Sequence, residues 1–152
     1  MKVENFPMDY TIDDLNVLIS FTHPYSDEIL GELIFSPTAD TPTESEAQIV
    51  QLFTLAGGTA LDAVHFDDDA SSTIPSTPGS IVGPGFFLPL GDLTVFEGKS
   101  TAGTWELKIT DSAPAASHGL DGVVTEFCIT ATTNTAHDIR KLTEYRRGDA
   151  GL

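Results

Sequence analysis

Hydrophobic and polar side chains alternate along several short stretches of this chain. The clearest is GTWELKITD at residues 103–111, where Trp105, Leu107 and Ile109 are separated by single polar residues. A period of two is typical of a β-strand with one buried face. The pattern therefore predicts a strand whose inner face carries Trp105, the only tryptophan of the chain, into the core.

Four further stretches predict strands: residues 15–21, 29–35, 48–55 and 123–131. In the last, Phe127, Ile129 and Ala131 share one face, whereas Ile49, Gln51 and Phe53 alternate less regularly. Five glycines and three prolines interrupt residues 56–85, so we predict a mostly irregular segment there. No helical period is evident between residues 11 and 131. The chain is therefore predicted to be all-β, with antiparallel sheets in a β-sandwich or jelly roll.

The net charge of the chain limits the classes of partner that it can bind. The chain of 152 residues has 23 acidic and 7 basic side chains, a net charge of −16. Nucleic acid and anionic membrane would repel it, whereas divalent cations, a cationic partner or simple solubility are compatible with it. Cys128, the single cysteine, excludes an intrachain disulfide. We expect no signal peptide in MKVENFPMDY and no membrane span, because no apolar run is long enough.

The last residues differ from the rest. Residues 1–133 are predicted to form the sandwich, and residues 134–152 a basic tail that holds four of the seven basic residues. The spacing of Ile139, Leu142 and Tyr145 would suit a short amphipathic helix, and an unattached terminus is the alternative. A basic tail on an acidic domain would suit attachment to an identical subunit. The candidate partner-binding residues are Arg140, Lys141, Tyr145, Arg146 and Arg147.

Three stretches, in this order, carry a resemblance to a known family. They are LNVLISFTHPYSDEILGELIFSPTAD, FDDDASSTI and GDLTVFEGKSTAGTWELKITDSAPAASHGLDGVVTEFCI. Together, residues 11–131 resemble the P domain (Homo B domain) of subtilisin-like proprotein convertases. The chain departs from that family in a shortened N-terminal part and in Phe127, where tryptophan is common. The resemblance implies a galactose-binding-like jelly roll that is not itself catalytic, that packs on a protease and that in bacterial relatives often binds calcium.

Candidate chemistry is limited to cation binding. The chain has no Gly-x-Ser-x-Gly, His-Glu-x-x-His, Cys-x-x-Cys or phosphate-binding glycine motif, so we expect no enzyme. Calcium prefers six to eight oxygen ligands, and FDDDASS offers adjacent carboxylates in a segment predicted to be irregular. A solvated acidic loop is the plain alternative. The candidate calcium ligands are Asp67, Asp68, Asp69, Asp27 and Asp111.

Three functions remain open from the sequence. The first is a structural or interaction module that docks on a larger assembly or on copies of itself, in a filament, an appendage or a virion surface. The second is a detached accessory domain that stabilises a secreted subtilisin-like serine protease. The third is a carbohydrate-binding module. With the resemblance, the first two imply an extracellular or particle-surface location.

Overall fold

The structure, a computed structural model, describes residues 2–4, 6, 10–23, 29–38, 46–55, 60–75, 79–111, 122–135, 138–146 and 150–151. Within this part of the chain lie eleven β-strands and a 3-10 helix of four residues. The elements are β1 (Lys2–Glu4), β2 (Ile12–Thr22), β3 (Ile29–Pro37), β4 (Gln48–Leu55), β5 (Ala60–Phe66), β6 (Ile81–Val82), β7 (Gly85–Phe87), η1 (Leu93–Phe96), β8 (Gly103–Asp111), β9 (Val123–Thr135), β10 (Asp138–Arg146) and β11 (Ala150–Gly151).

The strands form two sheets that pack together, which confirms the prediction of an all-β sandwich. The first sheet has the order β1-β8-β3-β4, and every pair in it is antiparallel. The second has the order β10-β9-β2-β5-β6, with β7 also beside β5 and β11 also beside β9. In this sheet β6 and β7 run parallel to β5, whereas the other pairs are antiparallel. No helix in the described residues is long and apolar enough to cross a membrane.

The inner faces of both sheets build one apolar core. Trp105 is fully buried, and its ring packs against those of Phe6, Phe35 and Phe96. Its indole Nε1 donates a hydrogen bond to the carbonyl oxygen of Thr101 at 3.3 Å, so that its polar atom is satisfied. The core position predicted for Trp105 is confirmed. So is the shared buried face of the last predicted strand, formed by Phe127, Ile129 and Ala131.

A bulge explains the irregular alternation in β4. The register pairs Gly31 with Phe53 and then Glu32 with Gln51, which leaves Leu52 as an extra residue. Leu52 and Phe53 are therefore both buried, although they are neighbours. Ile49 is 60% exposed and does not share the inner face of Phe53, because the bulge changes the phase between them.

Strand β5, of seven residues, lies inside the segment that was predicted to be mostly irregular, and it was not predicted as a strand. The strand pairs with β2 between Leu61 and Phe66, but Ile19 opposes Val64 while Phe21 opposes Leu61. Ala63 sits in this irregularity with φ 50°, a left-handed conformation that is uncommon for a residue with a side chain. Its N–H donates to Ser20 Oγ at 3.0 Å, and Ser20 Oγ donates in turn to Glu126 Oε2 at 3.1 Å.

The basic tail folds differently from the predicted short helix. Residues 138–146 form strand β10, which pairs in antiparallel register with β9 from Asp138 opposite Thr135 to Arg146 opposite Phe127. The predicted boundary at residue 133 falls inside β9, which continues to Thr135. The physical reason is the neighbouring strand β9. It offers a long row of backbone N–H and C=O groups, and a strand forms hydrogen bonds with them whereas a helix does not.

Candidate functional site

Acidic side chains from three parts of the chain meet at one end of the sandwich, which we call the acidic end. Strands β2 and β5 are antiparallel, so the start of β2 and the residues after β5 lie at the same end. The segment that follows η1 joins them there, because the N–H of Gly98 donates to the carbonyl of Ile12 at 2.8 Å. The acidic end comprises Asp14, Asp67, Asp68, Asp69, Asp92 and Glu97.

Local hydrogen bonds fix two of these carboxylates. Asp67 Oδ1 accepts from the N–H of Asp69 at 2.8 Å, which closes a tight turn directly after β5. The Asp92 carboxylate accepts from the N–H of Thr94 at 2.9 Å and caps the first turn of η1. Each therefore has a structural role in its own loop.

The acidic end is electrostatically repulsive. Burial, followed by the negative charges of Asp67 and Asp69, raises the pKa of Asp14 above its usual value. Burial, followed by the charge of Asp92, likewise raises the pKa of Asp68. Hydrogen bonds from the side chain and backbone of Thr94 lower the pKa of Asp92. A cation would relieve the repulsion that acts on Asp14 and Asp68.

The carboxylates do not converge as a ready coordination shell. Within the described residues, no three His, Cys, Asp or Glu side chains are grouped so that they could hold a metal ion. The side chain of Asn16 lies beside Asp14, because its Nδ2 donates a hydrogen bond to Asp14 Oδ2 at 3.1 Å. The Oδ1 atom of Asn16 is buried and has no hydrogen-bond partner among the residues that the structure describes. The residues fit a cation in charge and donor type, but not in present geometry.

The predicted ligand set is divided between the two ends of the sandwich. Asp111 ends β8 opposite Ile29, and its Oδ2 lies 3.5 Å from Nε2 of His23, which follows β2. Asp14 and His23 are nine positions apart along an extended segment, roughly 30 Å at about 3.3 Å per residue. Asp111 is therefore not in one site with the three aspartates after β5. Asp27 lies outside the described residues.

The predicted partner-binding residues lie on one strand. Arg140, Lys141, Tyr145 and Arg146 all belong to β10. This strand forms the end of the second sheet, with β9 on one side. Arg147 lies outside the described residues.

Three features bear on carbohydrate binding. Trp105 is buried, so it is not available as a stacking platform. Phe86 is 59% exposed and stacks on His65 with ring centroids 4.6 Å apart. A separate pocket of about 270 Å³ lies beside β4 and is lined mainly by apolar side chains, among them Leu52, Ile74 and Leu90.

Sequence reasoning did not identify Asp14, Asn16, Asp92 or Glu97 as neighbours of the aspartates after β5. A usable signal was present for Asp92, since Asp-Leu-Thr is a helix-capping pattern. No sequence signal links Asp14 to Asp67, because their proximity follows from the pairing of β2 with β5.

Comparison with known proteins identifies no relative: no family model, no curated protein and no solved structure matches this chain. The resemblance to the P domain therefore stays a prediction that rests on the three quoted stretches. What the structure adds is the all-β sandwich and the position of each candidate residue in it.

Proposed function

We propose that this protein is a non-catalytic structural module with a P-domain-like jelly roll, which docks on a larger assembly or on copies of itself. A filament, an appendage or a particle surface outside the cell is the setting that fits such a module. The observation that carries the proposal is the long edge strand β10. It holds three of the seven basic residues of a chain whose net charge is −16.

Exposed edge strands are templates for pairing with another chain, and natural sheets usually keep them short or covered. The other edges in the described residues follow this rule. Strand β1 has three residues, and β6 and β7 have two and three. The eight-residue β4 is partly covered, because the N–H groups of Leu90 and Gly91 donate to the carbonyls of Leu52 and Gln51. Strand β10 is the longest of these edges, with nine residues and no proline, and of the usual protective features it has charged side chains, at five of its nine positions.

The non-catalytic character is supported by the absence of catalytic motifs in the sequence. Two of the histidines also have evident structural roles. His23 is 8% exposed and contacts Phe21 and Asp111, and His65 stacks on Phe86. A detached accessory domain of a secreted subtilisin-like protease is the alternative to assembly. A protease domain encoded beside this chain would favour that alternative.

Calcium binding is part of the proposal and belongs at the acidic end. The support is the repulsion on Asp14 and Asp68 together with the unpartnered Oδ1 atom of Asn16. Carboxylate and amide oxygens are the ligands that calcium prefers. Asp67, Asp68 and Asp69 would contribute from the turn after β5, and Asp14 and Asn16 from β2.

Solution size tests the assembly function. The full chain is measured by sedimentation velocity between about 2 and 200 µM, a range that spans typical dissociation constants of weak homodimers. Concentration-dependent self-association is expected. A chain that stays strictly monomeric over the whole range contradicts assembly with copies of itself and leaves docking on a different partner.

A further inference from the structure

We propose that β10 pairs with β10 of a second copy, antiparallel and centred on Leu142, so that two sandwiches share one continuous sheet. The inference rests on the proposed function and identifies the surface and the partner. It starts from the position of the strand. Among the described residues, β10 pairs only with β9, and β11 continues along the same side of β9 from Ala150 opposite Val124.

The sequence of β10 is complementary to itself when it is read in the opposite direction. In DIRKLTEYR, Leu142 is the middle residue of nine. An antiparallel pair centred there opposes Asp138 to Arg146 of the second copy, and Arg140 to Glu144 of the second copy. Because the axis is twofold, each of these attractive pairs occurs twice. Ile139 opposes Tyr145 of the second copy, and Leu142 opposes its own counterpart.

Other registers lose this match. A shift of two residues in one direction opposes Arg140 to Arg146, and in the other it opposes Lys141 to itself. A shift of one residue in one direction opposes Ile139 to Arg146 and leaves Lys141–Glu144 as the attractive pair. In the other direction it opposes Ile139 to Glu144 and leaves no attractive pair. A parallel pair in register opposes every charged residue to itself. Like charges directly across two strands are destabilising, and the antiparallel register centred on Leu142 has more attractive pairs than the registers shifted by one residue. The sequence therefore favours that register.

The register of β10 with β9 places uncharged residues directly across from four of its charged ones. Thr135, Thr133, Ile129 and Phe127 of β9 lie opposite Asp138, Arg140, Glu144 and Arg146, and all four are uncharged. A second copy of the same strand supplies opposite charges at all four positions.

Electrostatics also favours this edge as the place of contact. Two copies of a chain with net charge −16 repel each other over most of their surfaces. On β10, however, three basic residues outnumber two acidic ones. The strand therefore lets two acidic molecules approach with less repulsion, and its charge pattern then fixes the register.

A charge exchange tests the pairing by sedimentation velocity of the full chain at low salt. Arg140→Glu creates two repulsive pairs per dimer, and so does Glu144→Arg; each alone is expected to weaken the dimer at least about tenfold. The double variant Arg140→Glu/Glu144→Arg restores both attractions, and so does a one-to-one mixture of the two single variants. Lys141→Glu is the matched control: it makes the same change in net charge but opposes Thr143, and we expect a much smaller effect.

Rescue in both the double variant and the mixture would establish the pairing, and it also shows that each single variant is folded. Self-association that neither single variant weakens overturns the β10 pairing, while assembly through another surface still stands. Weakening without rescue also overturns it. A wild-type chain that is monomeric at every concentration contradicts both this pairing and self-assembly.

Discussion

Replacing Gly31 with alanine would place a methyl group inside the ring of Phe53. An ideal Cβ at position 31 lies 2.3 Å from both Cε1 and Cζ of Phe53, and 2.8 Å from its Cδ1. Real Cβ atoms do not approach other carbons that closely, so either the ring or the strand must move. Gly31 is the residue of β3 at which the β4 bulge begins, so the close approach of Phe53 is part of the packing of this sheet.

The ring has little room in which to move. Phe53 is 1% exposed and stacks on Phe66 of the opposite sheet, with ring centroids 5.6 Å apart and an interplanar angle of 15°. Overpacking of this kind costs about 1–3 kcal/mol, and disturbing an aromatic pair about 0.5–1.5 kcal/mol more. Against this, alanine reduces the entropy of the unfolded chain, which recovers about 0.4–1 kcal/mol. The expected net loss is about 2 kcal/mol, or about 4–8 °C in Tm for a chain of this size.

Urea unfolding of a double-mutant cycle measures the contact directly. The four proteins are the wild type, Gly31→Ala, Phe53→Leu and the double variant. Leucine is smaller than phenylalanine and leaves space for the new methyl group, so Gly31→Ala should cost at least about 1 kcal/mol less in the Phe53→Leu background. Additive effects, or a single Gly31→Ala variant within about 0.5 kcal/mol of the wild type, would refute the reasoning.

Three further predictions concern the acidic end and β5. Burial and the charges of Asp67 and Asp69 raise the pKa of Asp14 in the folded state. Ionised Asp14 therefore lowers the free energy of unfolding at neutral pH. This loss of stability decreases as the pH falls through the raised pKa, and it is absent below the usual aspartate pKa of 3.8. Asp14→Asn should therefore raise the free energy of unfolding at pH 7 by less than about 1 kcal/mol, with no gain near pH 3; an equal gain at both pH values contradicts this. Calcium at 10 mM, compared with a chelator, should raise Tm by about 3–6 °C if the dissociation constant is about 1 mM, and an unchanged Tm argues against the ion. Ser20→Ala leaves the N–H of Ala63 without its acceptor and should cost about 1–3 kcal/mol in urea unfolding, whereas a neutral effect would show that water replaces the hydroxyl.

Strands with a regular period were predictable from the sequence. Residues 103–111 form β8 with the predicted bounds, because both of its neighbours are antiparallel strands and no bulge changes its phase. The same holds for the inner face of β9 at Phe127, Ile129 and Ala131. In these strands the local pattern and the packing require the same alternation, so the pattern alone was sufficient.

Strand β5 could not be predicted because its pattern is broken by its own irregularity. Leu61, Val64 and Phe66 are buried, and the spacing of three residues between the first two follows from the irregularity at Ala63. The close approach of Gly83 adds to this. Gly83 has φ +133°, and a Cβ there would lie 1.7 Å from the carbonyl oxygen of Asp62. In the sequence alone, such glycines predict a loop. Here they allow the two short strands β6 and β7 to lie beside β5.

The error at the candidate site follows from the missed strand. A loop of residues 56–85 could bring Asp67–Asp69 to either end of the sandwich, so a site shared with Asp111 was compatible with the sequence. Once β5 is an antiparallel partner of β2, the direction of both strands fixes the three aspartates beside Asp14. Asp111 then belongs with His23 at the other end. A single strand thus decides which carboxylates can act together.

Strand β10 of the tail likewise depends on a neighbouring strand. Its position also bears on the proposed assembly. Ile139, Leu142 and Tyr145 are spaced as in a helix, and a strand places Leu142 on the opposite face from the other two, so the pattern alone favours a helix. The unpaired side of β9 decides between them, because its backbone groups need partners. Covering that side does not remove the edge of the sheet but moves it outward to β10. An edge with uniform side chains would pair with many strands, whereas one whose charges match its own reversed sequence favours a second copy of the same chain.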